Sequence, residues 1–120
     1  MILAIPVDEQ KVESTVCVSL GRTPYFMFYN TDDHTSFFLD NPGAHAESGA
    51  GIKTAQTIID HNADVLLTIR CGQNAAELLN ATDIKIYKTT LPKALETISA
   101  FNNSELALMT EFHAGFLGHQ

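Results

Sequence analysis

The feature that most constrains this sequence is the alternation of short apolar runs with helix-period segments after residue 50. Residues 64–69 and 84–87 are apolar runs too short to be helices, and they predict buried strands. Apolar residues at helical spacing predict helices over 50–62, 73–81 and 91–101. Strands that alternate with helices in this way form parallel pairs joined by right-handed crossovers, so the sequence predicts an α/β fold.

The first part of the chain predicts three more strands. Residues 2–7 form an apolar run, and residues 24–30 and 35–40 flank a short polar turn, which is the pattern of a β-hairpin. The hairpin contributes antiparallel strands to the sheet. We therefore expect residues 1–120 to form a single domain, with three α/β/α layers and a mixed five-stranded sheet.

The segments around these elements give finer predictions. Residues 8–23 look like a loop in which Val12, Val16 and Val18 could add a short extended piece. Ser48 and Thr90 are placed to cap the first and third helices. Ser104 is placed to cap a fourth, short helix. That helix would turn three apolar side chains inward, namely Leu108, Met109 and Phe112.

Charge and hydropathy exclude several classes of partner. The formal net charge is −7, and the seven Lys and Arg residues are scattered along the chain, so nucleic acid is not expected as a partner. There is no apolar run of about 18 residues, so we expect no transmembrane helix and no membrane partner. The opening MILAIPVDEQ lacks the basic region of a signal peptide, which predicts a cytoplasmic protein.

Candidate binding residues follow the predicted parallel strands, because ligands of open α/β sheets bind at the carboxyl ends of those strands. In the loop at 70–75, Gly72 lets the backbone turn into a helix whose first N–H groups can face an anion. The loop at 41–51 also runs into a helix and could reach this edge. Arg22 has two readings, as an anion contact or as a structural donor to loop carbonyls. The remaining candidates are Cys17, Ser19 and Gly21 after the first strand, and Lys88, Thr89 and Thr90 after 84–87.

Several stretches, in the same order along nearly the whole chain, resemble the dinitrogenase iron–molybdenum cofactor biosynthesis family, which includes NifX- and NafY-like carriers and the tail domain of NifB-like proteins. The residues 19–26 (SLGRTPYF) resemble the family's His-Phe-Gly-Arg-x-Pro-x-Phe, and 71–75 (CGQNA) its Ile-Gly-x-Asn-Ala. The other stretches are IPVDE at 5–9, Asp40-Asn41-Pro42, Gly49-Ala50-Gly51-Ile52 and Gly118-His119.

The resemblance implies a ribonuclease H-like fold and a carrier that transiently binds an iron–sulfur or iron–molybdenum cluster. Its partners would then be the cluster and cofactor-assembly proteins. On this reading, the family motifs carry five cofactor-binding residues: Ser19, Gly21, Arg22, Gly72 and Asn74.

The chain departs from the family pattern at one position that bears on metal binding. The family's His before Phe-Gly-Arg is Ser19 here, and the Phe is Leu20. Thiolates are good ligands of iron–sulfur clusters and His can replace some of them. We therefore predict that Cys17 and Cys71, with His45, contact the cluster. The alternative is that both cysteines are buried as small apolar side chains, since no C-x-x-C spacing supports a ligand pair.

No pattern in the sequence predicts an enzyme. The nucleophile elbow, the zincin helix and the phosphate loop are absent. A nuclease on a ribonuclease H-like fold would need several carboxylates around metal ions, and the predicted strands supply few. The alternative to a carrier is a metal-free protein-interaction or small-anion-binding module. In either case His113 and His119, at the Gly-containing tail, could fold over a ligand.

Overall fold

The computed structural model describes residues 1–113. The secondary structure over these residues follows the predicted alternation. The strands are β1 (Ile2–Val7), β2 (Tyr25–Asn30), β3 (Ser36–Asp40), β4 (Val65–Thr68), β5 (Lys85–Lys88) and β6 (Ala107–Leu108). The helices are α1 (Ala50–Asp60), α2 (Gln73–Ala81) and α3 (Ala94–Asn102), and a 3-10 turn covers Pro42–His45.

All six strands form one mixed sheet in the order β3-β2-β1-β4-β5-β6. β1, β4 and β5 are parallel, with Leu3 opposite Val65 and Val65 opposite Lys85. β2 and β3 form the predicted antiparallel hairpin, and β2 also pairs antiparallel with β1. The prediction of a mixed α/β sheet is confirmed. The predicted count of five strands is wrong, because β6 adds a strand beside β5.

Both faces of the sheet are covered by helices, as predicted. On one face, α1 and α2 pack over a core that includes Phe26, Phe28 and Leu66. On the other face, α3 packs over Leu3 and Leu67. Successive strand residues point to opposite faces, so each central strand supplies both cores. The result is three layers, and none of the helices in residues 1–113 is long and apolar enough to cross a membrane.

The loop between β1 and β2 contains the predicted extended piece. Val16 forms an antiparallel bridge with Val7, and Thr15 forms one with Lys93. The Ala94 N–H, the first of α3, donates to the Ser14 carbonyl at 3.0 Å. The start of α3 is therefore satisfied by this loop. The predicted Thr90 cap is wrong, since the residue that precedes the helix is Lys93 and it makes no side-chain cap.

Two other predictions about helix ends are also wrong. The residue before α1 is Gly49 at φ +70°, a left-handed conformation that glycine adopts without strain, and Ser48 does not cap the helix. The predicted fourth helix does not form. Ser104 instead adopts φ +59° after α3, and the chain turns back so that β6 pairs with the otherwise open edge of β5. Leu108 is exposed there, whereas Met109 and Phe112 pack against the α1–α2 core as predicted.

A buried amide holds the loops next to α1 together. Asn41 is 2% exposed, and its Nδ2 donates to the Thr23 carbonyl at 3.0 Å. Its Oδ1 accepts from the Gly43 N–H at 3.1 Å and lies 3.2 Å from the Thr54 hydroxyl. Gly43 has no room for a side chain, because a Cβ there would lie 2.6 Å from Thr54 Oγ1. This network fixes the chain between β2, the 3-10 turn and α1.

The substitution Asn41→Ala should lower the free energy of unfolding by about 2–3 kcal/mol, because it leaves buried backbone and hydroxyl groups without partners. Urea unfolding followed by circular dichroism measures the change. The matched control is Asn80→Ala, at an exposed position in α2, which should change stability by no more than about 0.5 kcal/mol. Equal losses in the free energy of unfolding for the two substitutions would show that the Asn41 hydrogen bonds do not stabilise the fold.

Candidate functional site

The carboxyl ends of β1, β4 and β5 meet at one edge of the sheet, because these strands are parallel neighbours. The first turns of α1 and α2 lie close together near this edge. A Cβ built on Gly21 would lie 3.6 Å from the Gly51 nitrogen, and one on Gly51 would lie 3.8 Å from the Ala75 Cβ. The loop before β2, the start of α1 and the start of α2 therefore form one continuous surface.

Arg22 acts as a structural donor to loop carbonyls, which is one of the two roles that the sequence suggests for it. Its Nη1 donates to the carbonyls of Ala44 and Ala46 at 3.1 and 2.6 Å. The side chain thus joins the loop before β2 to the 3-10 turn. Ser19 is exposed in the same loop, and Asn74 is half-buried in the first turn of α2.

His45 lines a cavity of about 820 Å³ between β3, the 3-10 turn and α1. His61 lines the same cavity, and its Nδ1 lies 2.9 Å from the Thr57 carbonyl. A carbonyl oxygen only accepts, so Nδ1 carries a proton. Neither cysteine lines this cavity. The structure therefore places His45 in a different pocket from Cys71.

Cys71 lies three residues after the end of β4 and lines a second cavity, of about 310 Å³. The residue is 1% exposed, and burial raises the pKa of its thiol to about 12. The other residues that line this cavity are Ile69, Arg70, Lys88, Met109, Glu111, Phe112 and His113.

The charge of this second cavity differs from that of the whole protein. Arg70 and Lys88 are two of seven Lys and Arg residues in a chain of net charge −7, and both line it. The ion pairs found in residues 1–113 are Met1 with Asp32 and Lys11 with Glu9. One carboxylate, Glu111, also lines the cavity. No salt bridge to a described carboxylate neutralises Arg70 or Lys88. The two cations therefore outnumber the carboxylate, and the cavity favours anions.

Cys17 is half-buried at the carboxyl end of β1, where its N–H donates to the Pro6 carbonyl at 2.9 Å. Its Sγ lies 3.6 Å from the Ser19 carbonyl. Burial raises the pKa of this thiol as well. Residues 1–113 contain no group of three or more His, Cys, Asp or Glu placed to share a metal ion. In this conformation, Cys17, Cys71 and His45 therefore do not form one three-ligand site.

Comparison with known proteins identifies the family. The sequence profile described as "Dinitrogenase iron-molybdenum cofactor" matches residues 1–104. The chain belongs to the dinitrogenase iron-molybdenum cofactor family. No curated protein shows significant sequence similarity to it.

Several solved structures share the fold of this chain. The apo orange protein of Desulfovibrio gigas superposes with a TM-score of 0.86 at 22% identity, over 91% of this chain and 92% of that one. A NifB candidate from Thermotoga gives 0.81 at 29% identity, over 92% and 95%. A candidate dinitrogenase from Methanocaldococcus jannaschii gives 0.72 at 18% identity, over 92% and 96%.

Within this family pattern, the position where the chain has Leu20 is a core position. Leu20 is 4% exposed and packs in the α1–α2 core, so the apolar side chain at this position serves packing. Ser19 beside it is exposed. Gly118-His119, the last of the family-like stretches, lies outside the described residues, as does His119 as a candidate ligand.

Sequence reasoning missed the combination that forms the second cavity. The sequence places Arg70 and Lys88 in two separate loops, and no pattern in it marks Glu111 or Phe112 as site residues. Parallel pairing of Thr68 with Lys88 brings the two basic residues to the same place. The signal available in the sequence was that each basic residue lies at or just after the end of a predicted parallel strand.

The buried thiol predicts a loss of stability at high pH. The pKa of Cys71 is about 12 in the folded protein against an ordinary 9.0, so the folded state holds a proton that the unfolded chain releases. This stabilisation is complete below pH 9 and is lost as pH rises toward 12, at up to about 1.4 kcal/mol per pH unit.

Urea unfolding of the metal-free protein at neutral pH and at about pH 10 tests this dependence. Cys71→Ala should lose stability less steeply with pH than the natural protein, whereas the Cys17→Ala control should keep most of the steepness. Identical pH dependence in the natural protein and Cys71→Ala would contradict the assignment.

Proposed function

We propose that this protein is a non-catalytic carrier that binds an iron–sulfur or iron–molybdenum cluster and passes it to cofactor-assembly proteins. Membership of the dinitrogenase iron-molybdenum cofactor family supports a role in the assembly or binding of such cofactors. The observation that carries the proposal is the basic cavity beside Cys71, at the carboxyl edge of the parallel strands.

The chemistry of this cavity suits a sulfide-bridged cluster. Such clusters are held by thiolates, and their stability depends on net charge and on hydrogen bonds to the sulfurs. Arg70 and Lys88 would offset the negative charge of a cluster with its thiolate ligand. Cys71 would supply that thiolate, since a coordinating metal deprotonates a thiol outright. A site with few ligands favours release as well as binding.

The other predicted contacts would act around this cavity. Gly72 and Asn74 lie in the loop and first turn of α2, next to Cys71. Ser19 and Gly21 would form the neighbouring surface, and Arg22 would hold its shape through the two carbonyls it binds. Cys17 and His45 would reach a cluster only if the loops that carry them moved.

The same basic cavity supports a second candidate function, that of a metal-free module for a small anion. Arg70 and Lys88 bind oxyanions as readily as sulfur anions. The cavity of about 310 Å³ has room for an anion of the size of molybdate or phosphate. The two functions differ in the need for Cys71, because an oxyanion bound by charge requires no thiolate.

The experiment that separates these functions is anaerobic loading of the protein. The purified chain is mixed with a thiolate-ligated synthetic iron–sulfur or iron–molybdenum–sulfur cluster and desalted, and bound iron, molybdenum and sulfide are then assayed. A carrier retains metal and sulfide, and Cys71→Ser loses most of both. Binding of molybdate or phosphate that survives Cys71→Ser, with no retained cluster, would favour the anion module.

Charge in the cavity should be required for binding of the cluster. Lys88→Gln should weaken binding about fivefold, because it removes one positive charge near a partly exposed anionic site. Lys85→Gln is the matched control, since Lys85 is exposed at the other end of β5 and does not line the cavity. Titration of the anaerobic protein with the thiolate-ligated synthetic iron–sulfur cluster measures both affinities. Equal weakening by the two substitutions would indicate a general charge effect and contradict this location.

A further inference from the structure

The segment Met109–His113 is bound to the body of the protein beside Cys71 by main-chain hydrogen bonds. The Met109 N–H donates to the Ile86 carbonyl at 2.8 Å. At the other end, the His113 N–H donates to the Cys71 carbonyl at 3.3 Å, and the His113 carbonyl accepts from the Gln73 N–H at 2.9 Å. The segment therefore closes on the loop between β4 and α2 from both sides of Gly72.

This segment supplies half of the lining of the basic cavity. Four of the eight lining residues lie on it, and the other four lie on or next to β4 and β5. Its His113 ring rests on Gly72, where a Cβ would lie 3.1 Å from Cε1. Cys71 is 1% exposed, between this segment and the α1–α2 core of which it is part. A ligand of the thiol therefore has to displace the segment or enter beneath it.

The segment also occupies a donor that an anion would use. Gln73 is the first residue of α2, and its N–H is one of the groups that a helix leaves free at its start. Here that N–H is bound to the His113 carbonyl. Lifting the segment would free this donor and uncover the thiol at the same time.

The attachment of the segment is weak compared with that of the core. Three residues of the segment are exposed, and only Met109 and Phe112 are half-buried against the α1–α2 core. Segments with few apolar contacts and exposed hydrogen bonds open at a fraction of the global unfolding free energy. Such a segment can open while the sheet and helices stay folded.

We propose that Met109–His113 is a strap that closes the cluster cavity and that must open before a ligand reaches Cys71. This inference rests on the proposed function for its biological meaning, but the opening itself is a property of the chain alone. The strap shields the thiol in the empty protein, and a cluster that enters takes over the groups that the strap had covered.

The test measures how fast Cys71 reacts with iodoacetamide, in a Cys17→Ser background so that Cys71 is the one thiol. Phe112→Ala should speed the reaction about tenfold, because a half-buried aromatic ring contributes on that order to the closing equilibrium. Leu108→Ala is the matched control, since Leu108 is 51% exposed on the neighbouring strand and belongs to neither core. It should leave the rate unchanged.

A second variant approaches the strap from the other side. Gly72→Ala places a methyl group against the His113 ring, so it should also speed the labelling of Cys71. Urea unfolding of each variant shows whether the faster labelling exceeds what global destabilisation explains. Labelling that stays at the parent rate in both Phe112→Ala and Gly72→Ala, or that rises only in step with global unfolding, would overturn the strap.

Cluster loading of the same variants keeps this inference distinct from the proposed function. With a strap, Phe112→Ala takes up the synthetic iron–sulfur cluster faster than the Leu108→Ala control. Faster labelling with no cluster retained in any variant would support the strap and reject the carrier function. Full cluster retention with unchanged labelling would support the carrier and reject the strap.

Discussion

The buried Asn41 amide is the interaction on which the arrangement of the loops near α1 depends. A desolvated amide is stable only when its donors and acceptor are paired, so its bonds to Thr23, Gly43 and Thr54 must form together. These bonds fix the end of β3 against α1. Arg22 extends the same arrangement by binding the carbonyls of the 3-10 turn. Hydrogen bonds are directional and apolar contacts are not, so this network specifies the loop positions more closely than apolar packing would.

The basic cavity owes its position to the parallel pairing of β4 and β5. Because Thr68 lies opposite Lys88 in the register, the residues that follow β4 lie beside the end of β5. This places Arg70, Cys71 and Lys88 around one small volume in a protein whose overall charge is negative. Burial raises the pKa of the thiol, which lies between the strap and the α1–α2 core. A metal that binds there would have to displace the proton of the Cys71 thiol and the strap that covers it.

The parts of the fold that could be predicted are those with a local cause. Apolar periodicity located β1, the hairpin, β4, β5 and three helices, because each element buries one face or both. The predictions that failed concern the helix caps and the segment after α3, which is a strand and not the predicted fourth helix. Thr90 does not cap α3 because the helix begins only at Ala94, whose N–H binds the distant Ser14 carbonyl. The segment after Ser104 forms β6 because β5 offers an open edge. Both outcomes depend on partners far away in the sequence.

For the site, the sequence by itself determined the chemical types present: two free thiols, a few scattered cations and glycines placed before helices. Its ordered motifs were also sufficient to indicate the family that the comparison confirms. Only the tertiary structure decided which groups meet. It separated His45 from Cys71, buried Cys71 and set Arg70 beside Lys88 under a segment from the end of the chain. Side chains remote in sequence become neighbours only through strand register and packing, which no local pattern encodes.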